Sequence, residues 1–307
     1  MDTQRTLYRE DHELFRIAVR RFLERDYLPL QGRCRGTGAL DRQLWLKAGR
    51  QGLLCVTLPA QYGGGGDFGH AAIIREEFAR LSLHDQALFL HSDIVAPCIC
   101  SLASDEQKQR WLPGICSGEL ILALAWAGPD SPDGQVQARA QREQDHYRID
   151  GSACSMGNVA DCDLLLLACP VDGEGGEPGV SLFIVETQRP GVALASRARA
   201  SSSGCPGEGE LRFDQVCVPH ANRLGAAGTG QDSLDQALQH RQLLATIFAA
   251  SELEQLLGPA LGQAQQAWDP YPARQALASI KTRALSLGHD LARDAQPVLP
   301  TRQDIQP

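Results

Sequence analysis

The sequence predicts a mainly α-helical protein with a central β-domain, and three features of the chain support this fold class. Apolar residues recur at helical spacing through the first third. Short runs of Leu, Val and Ile between Gly, Pro and Asp clusters follow from about residue 120, and helical spacing returns from about residue 232. We therefore predict an N-terminal helical domain (1–118), a middle β-domain (119–228) and a C-terminal helical domain (229–307).

The first domain is predicted to be a bundle of amphipathic helices. Residues 63–66, all glycine, predict a tight turn. Ser104 and Gln107 form a capping-box pattern that predicts a helix to about Cys116, before Gly118 ends it. The apolar helix positions are Leu14, Ile17, Ala18, Phe22 and Leu23, then Leu44, Leu46, Ala48 and Leu53, then Ile73, Ile74, Phe78 and Leu81. Glu76 and Glu77 are interpreted as part of a solvated helix face or as making a cap contact.

The β-domain is predicted from short apolar runs separated by loop residues. The predicted strands are residues 121–127, 146–149, 163–169, 180–185 and 210–218, and the predicted loops are 173–178 and 201–209. Helical spacing then resumes at Leu234, Leu238, Leu243, Leu244, Ile247 and Phe248, and again over residues 273–295.

Composition argues against several classes of function. The chain has 307 residues and a net charge of −8, with 29 Lys and Arg against 37 Asp and Glu, so nucleic acid is not an expected partner. The longest apolar run, residues 120–127, is far shorter than the ~20 residues of a membrane span. Residues 1–10 do not resemble a signal peptide, which favours the cytoplasm. The ten cysteines show no metal-binding spacing, so we expect reduced, mostly buried thiols and no metal.

Several strings of the sequence, in order, resemble the acyl-CoA dehydrogenase family. They lie at residues 52–66 (GLLCVTLPAQYGGGG), 91–97 (HSDIVAP), 105–113 (DEQKQRWLP), 117–120 (SGEL), 147–152 (YRIDGS), 179–186 (GVSLFIVE) and 213–219 (FDQVCVP). The resemblance covers roughly residues 5–258. It implies an N-terminal helical domain, a β-barrel-like middle domain and a C-terminal helical bundle, which we expect to be incomplete here. It also implies FAD between the last two domains, often against a neighbouring subunit.

The family chemistry implied by this resemblance is α,β-dehydrogenation of a fatty acyl thioester. A carboxylate removes the α-proton while flavin N5 accepts the β-hydride. In one branch of the family the base lies in a Gln-x-Glu-Arg-Leu string, and the aligned residues here are His240-Arg-Gln-Leu243, which puts Arg241 at the base position. A guanidinium stays protonated and cannot take the proton. No catalytic residue is therefore assigned, and His240 and Arg241 are candidate contacts for an anionic thioester or phosphate.

The residues at the family's flavin positions also differ from the family pattern. In the first flavin segment Ala127 replaces a Thr, while Ser131 keeps one hydroxyl. In the second segment Ser155 replaces an aromatic residue, Gly157 replaces a Thr, and Asn158 is retained. We therefore expect FAD binding to be weak or absent, with these five residues as remnants of the site.

A fourth difference lies at residues 265–269, where the family has an Arg that meets the FAD pyrophosphate and this chain has none. The leading hypothesis is a catalytically degenerate family member. It would act as a partner subunit of a full-length paralogue, as a homodimer, or as a binder of an acyl thioester of CoA or acyl carrier protein. The alternative is an FAD-dependent dehydrogenase of the same thioesters, completed by a paralogous subunit.

Three further expectations concern individual residues. Cys205 is a candidate nucleophile of a recruited hydrolase or transferase, although an ordinary exposed loop cysteine is the favoured interpretation. His91-Ser92-Asp93 is interpreted as scaffold, because adjacent residues cannot converge on one substrate. Because the family's last helices are expected to be missing, we also expect an exposed apolar stripe that predicts a partner, formed by Leu243, Leu244, Ile247 and Phe248.

Overall fold

A computed structural model describes residues 8–30, 40–126, 137–155, 157–172, 179–197, 209–263 and 282. Helices form the N-terminal part of the described chain. They are α1 (Glu10–Phe22), α2 (Arg42–Arg50), α3 (Phe68–Arg80), α4 (Ala87–Phe89), α5 (Ala96–Leu102) and α6 (Asp105–Ser117). A π-helical turn, Leu23–Tyr27, extends α1, and a second, Leu90–Val95, joins α4 to α5 and is called the π segment below.

An eight-stranded sheet follows α6. Its strands are β1 (Leu122–Trp126), β2 (Arg139–Arg142), β3 (His146–Ser155), β4 (Leu164–Asp172), β5 (Val180–Glu186), β6 (Val192–Arg197), β7 (Gly209–Pro219) and β8 (Arg223–Leu224). The strand order is β6-β7-β3-β1-β4-β5-β8, and β2 also pairs with β3 and β4. Strands β1 and β2 run parallel to β4, and the other pairs are antiparallel. All five predicted strands are present, with β3 extending to Ser155.

The predicted helix after Ser104 is confirmed together with both of its end signals. Ser104 Oγ accepts a hydrogen bond from Gln107 N at 3.3 Å, and Ser104 N donates to Gln107 Oε1 at 2.8 Å. Gly118 ends the helix in the left-handed conformation, with φ +79°. A Cβ added there would lie 2.3 Å from Trp45 O. Only glycine therefore fits where α6 meets α2.

Glu77 lies on the face of α3 that meets α1, so its interpretation as a solvated residue is wrong. Its side chain is only 1% exposed and accepts hydrogen bonds from three arginines. The distances are 3.1 Å to Arg16 Nη1, 2.8 Å to Arg20 Nε and 2.7 Å to Arg80 Nε. Glu76 also binds Arg16, at 2.7 Å. The carboxylate thus replaces hydration with charge-assisted hydrogen bonds.

A single long helix, α7 (Gly230–Gln263), follows the sheet. The expected exposed stripe on this helix is wrong. Leu244, Ile247 and Phe248 are buried and Leu243 is partly buried, because α7 packs against α3 and the π segment. The outward face of α7 is mainly polar or small, and of its large apolar residues only Leu253 is strongly exposed among those described. The predicted helix over 273–295 lies outside the described residues, apart from residue 282.

The described cysteines are free thiols and most are buried, as predicted. Cys154 and Cys217 are the two exposed ones among those described. Within the described part of the chain, no helix has the length and apolar character required to cross a membrane.

Candidate functional site

The candidate site lies where α7 crosses α3 and the π segment. Arg241, which the sequence resemblance aligns with the family's base position, is half-buried on α7. Arg75, on α3, is buried and only 3% exposed. Burial lowers the pKa of Arg75 to about 10, and the charge of Arg241 adds to this effect. The site therefore holds two guanidinium groups close enough to repel each other.

Arg75 is held between two aromatic rings from different helices. Its guanidinium carbon lies 4.2 Å from the ring centroid of Phe89 on α4 and 4.7 Å from that of Phe248 on α7. Both contacts are within the range of cation–π attraction. Among the described residues, however, Arg75 Nε has no hydrogen-bond partner. The stack fixes the position of the cation but leaves a buried donor unused.

Two carboxyl groups lie near Arg75, that of the buried Asp93 and that of the half-buried Asp85. Burial raises the pKa of Asp93 to about 7, against the attraction of Arg75. Burial also raises the pKa of Asp85, although the Tyr27 hydroxyl donates to it at 2.6 Å and Ala87 N donates at 2.8 Å. Arg75 forms no ion pair with any described carboxylate. These acids therefore balance its charge only at longer range.

His91, next to these groups in sequence, has a structural position. Leu122 N donates to His91 Nδ1 at 3.1 Å, so Nε2 carries the ring proton and donates to Ile115 O at 3.0 Å. Burial lowers the pKa of His91 to about 4, which keeps the ring neutral. His91 thus connects α6 to β1, in agreement with its interpretation as scaffold.

Three of the flavin remnants are described by the structure, and Ser155, Gly157 and Asn158 lie at or just after the end of β3. No described contact joins them to Arg241. Ser155 Oγ accepts from Gly157 N at 3.2 Å and donates to Gly157 O at 3.1 Å. Asn158 Nδ2 donates to Ala87 O at 2.9 Å and to Leu122 O at 3.0 Å. These hydrogen bonds use the Ser155 hydroxyl and both Nδ2 protons within the protein. The described residues therefore do not fit a flavin site that relies on these donors.

Several predicted site residues lie outside the described part of the chain. These are Ala127, Ser131, Cys205 and residues 265–269, together with the side chain of His240. Arg75 is the main residue that the sequence analysis missed. An arginine flanked by Ala71, Ala72, Ile73 and Ile74 was the available signal, because charged residues are rarely buried without a partner.

A second cluster joins the N-terminal ends of α1 and α3. Asp11, His12 and His70 offer atoms within 4.8 Å of one another that could hold a metal ion. Arg9 N, however, donates to His12 Nδ1 at 3.2 Å, so His12 Nε2 carries the ring proton. The Arg9 guanidinium also binds both nearby carboxylates, at 2.9 Å for Asp11 and 2.8 Å for Asp67. The Arg9 guanidinium already neutralises these carboxylates, and we assign no metal to the cluster.

Comparison with known proteins agrees with the fold and the motifs. The model of the acyl-CoA dehydrogenase N-terminal domain matches residues 9–119. The mitochondrial long-chain specific acyl-CoA dehydrogenase of Sus scrofa is 31% identical over 255 residues, covering 81% of this chain and 59% of that protein. A solved acyl-CoA dehydrogenase from Geobacillus kaustophilus is 30% identical with a TM-score of 0.73, covering 94% of this chain and 79% of that one.

The chain belongs to the acyl-CoA dehydrogenase family. The fold is also shared with an acyl-CoA dehydrogenase from Bacillus anthracis solved in complex with FAD, at 22% identity and a TM-score of 0.74, covering 94% of this chain and 56% of that one. The chain spans about 59% of the length of the mitochondrial relatives it matches.

Proposed function

We propose that this chain binds acyl thioesters without carrying out flavin-dependent dehydrogenation on its own. The observation that supports this proposal most directly is Arg241, which stands at the base position and lies near a second guanidinium, Arg75. Proton abstraction requires an unprotonated base in contact with the α-carbon. Two protonated guanidinium groups favour an anionic or oxygen-bearing ligand instead.

No described carboxylate is well placed to replace the missing base. Glu252 lies on the same helix as Arg241, but eleven residues at ~1.5 Å each separate them by roughly 16 Å. Its carboxylate is also paired with His84 Nε2 at 3.3 Å. Asp93 is buried, and its raised pKa of about 7 leaves it largely protonated in mildly acidic solution.

The internal hydrogen bonds of Ser155 and Asn158 support weak or absent FAD binding, as part of the same proposal. The thioester would be carried by CoA or acyl carrier protein. A homodimer and a heteromer with a full-length family member are the two assemblies we propose for such a binder.

The visible absorption spectrum of the purified chain tests the proposal. It is recorded with added FAD, and again after co-expression with a full-length acyl-CoA dehydrogenase. We expect the chain purified alone to hold no flavin and to show no bleaching when an acyl-CoA is added, while calorimetry detects acyl-CoA binding. After co-expression, we expect no more flavin than the full-length subunits account for. Flavin on the chain alone, or flavin in excess of the full-length subunits, that bleaches with acyl-CoA would establish the dehydrogenase alternative.

Two variants make this test sharper. Arg241→Glu restores a carboxylate at the base position, and Gln242→Glu places one on the exposed neighbouring residue as a matched control. We expect neither variant to gain dehydrogenase activity when FAD is added. If Arg241→Glu alone becomes active with FAD, the chain has kept its flavin site and lost only the base.

A further inference from the structure

A small cavity beside Arg75 is not explained by the fold alone. It lies between α1, α3 and the continuous helix formed by α4 and the π segment, and its volume is about 20 Å³. Its walls are mostly apolar, with Val19, Phe22 and Phe78 among them. Arg75, Ser92 and Asp93 also line it. Such a volume accommodates one oxygen-sized group and is far too small for a hydrocarbon tail.

Two of the residues that line this cavity carry hydrogen-bond donors without an acceptor among the described residues. Arg75 Nε and Ser92 Oγ are both buried, and neither has a partner of good geometry among the described residues. The raised pKa of Asp93 makes its carboxyl group a further donor at or below neutral pH. Asp85 already accepts from Tyr27 and Ala87. Because buried donors are nearly always paired, an acceptor that is not part of the described chain, either a water molecule or a ligand oxygen, would satisfy them.

We propose that the cavity receives the oxygen-bearing end of an acyl group, and that Arg75 selects acyl thioesters whose chain ends in a hydroxyl or a carboxylate. This inference rests on the proposed acyl-thioester binding, for which it names the substrate class. Phe248, which stacks on Arg75, lies seven residues or about two helical turns after Arg241, so both residues face the same side of α7.

The stack of Phe89, Arg75 and Phe248 also disfavours binding of a long apolar acyl chain at this place. The rings hold the guanidinium across the contact between α3 and α7. An apolar tail at this place would lie against an unpaired N–H donor and would gain no hydrogen bond there. A terminal oxygen supplies the missing acceptor, and a carboxylate adds attraction to the guanidinium.

Calorimetry with three five-carbon thioesters tests this selection. The full chain is titrated with pentanoyl-CoA, 5-hydroxypentanoyl-CoA and glutaryl-CoA, and with CoA alone. We expect both oxygen-ended ligands to bind at least about tenfold more tightly than pentanoyl-CoA, since a hydrogen bond to a charged group is lost with the apolar end. The ratio of the first two separates hydroxyl from carboxylate recognition.

Variants connect the preference to the cavity. Arg75→Met should remove the preference, whereas Arg50→Met, at the exposed end of α2, should leave it unchanged. Ser92→Ala provides a milder change and should weaken binding of 5-hydroxypentanoyl-CoA several-fold without affecting pentanoyl-CoA. Circular dichroism establishes that each variant is folded.

The outcomes separate this inference from the function on which it rests. Equal binding of the three thioesters would overturn the inference alone, and the cavity would then hold a water molecule only. A preference that survives in both Arg75→Met and Ser92→Ala would also overturn it. Failure of every thioester to bind would overturn the proposed function and, with it, the inference.

Discussion

Asp67 Oδ1 lies 2.8 Å from His12 Nε2, and this hydrogen bond joins the N-terminal ends of α1 and α3. His70 Nδ1 lies 2.9 Å from the same oxygen, while Arg9 Nη1 donates to the other oxygen at 2.8 Å. Asp67 is also the N-cap residue of α3 and accepts from His70 N. One carboxylate therefore caps one helix and fixes the beginning of another.

Replacing Asp67 with Ala should lower the free energy of unfolding by about 2–4 kcal/mol. The change removes a helix cap and leaves the buried donor of His12 without its partner. Urea denaturation measures the loss. Asp11→Ala is the matched control, because Asp11 is exposed and binds Arg9 but not His12, and its loss should be much smaller. Equal losses would contradict a special role for Asp67.

The same cluster predicts a pH dependence. Burial raises the pKa of Asp67, but hydrogen bonds from His70, Arg9 and His12 outweigh this and hold the pKa well below its ordinary value. The unfolded chain therefore binds a proton first as the pH falls, and stability is lost below about pH 4. We expect the Asp67→Ala variant to lose less stability than the wild type between pH 4 and pH 2. Parallel stability curves for the variant and the wild type would contradict the assignment of this pH dependence to Asp67.

Glu77→Gln should destabilise the protein by about 3 kcal/mol or more. The substitution keeps the shape of the side chain but removes the buried anion that Arg20 and Arg80 share, and it leaves Arg16 with Glu76 alone of its two partners on α3. Glu13→Gln is a suitable control, because Glu13 is exposed and binds only Arg16 among the described partners. Its effect should be below about 1 kcal/mol. Chemical denaturation of both variants at low and high salt tests the difference.

Gly118→Ala and Gly52→Ala separate the effect of backbone conformation from that of close packing. Both glycines have positive φ, +79° and +66°. A Cβ at Gly118 would meet Trp45 O at 2.3 Å, whereas a Cβ at Gly52 would meet nothing within 4 Å. We expect a cost of about 1 kcal/mol at Gly52 and clearly more at Gly118. Thermal unfolding measures both, and similar losses would show that α2 and α6 can move apart.

Local signals explain which parts of the fold could be predicted from the sequence. The ends of α6 are set by Ser104, Gln107 and Gly118, which act within a few residues. Strand β2, Arg139–Arg142, was missed because three of its four residues are exposed and it has no apolar run. Backbone pairing with β3 and β4 defines this strand, and such pairing joins residues that are distant in sequence.

The candidate site also contains one residue that the sequence identifies and one that only the fold reveals. Arg241 could be found because the resemblance aligns one helix with a family string. The apolar residues before Arg75 indicate only that it is buried, since its setting is built by Phe89 from α4 and Phe248 from α7, which the sequence does not place beside it. The exposed stripe was wrongly predicted for a related reason, because the apolar side of α7 finds its cover on α3 and the π segment. Periodicity identifies an apolar face but does not identify what covers it.

Asp93→Asn should change the pH dependence of stability in a defined direction. Burial raises the pKa of Asp93 to about 7, above the ordinary aspartate value of about 3.9. The folded state therefore binds more protons than the unfolded state between these pH values, and wild-type stability from this group falls as the pH rises from about 4 to 7. The Asn variant lacks this contribution, so its stability relative to the wild type should improve by up to about 1.4 kcal/mol per pH unit over that range. Asp172→Asn, an exposed acid at the end of β4, should leave the slope unchanged. Urea denaturation at pH 5, 6 and 7 measures the slopes, and parallel curves for Asp93→Asn and the wild type would mean that Asp93 keeps an ordinary pKa beside Arg75.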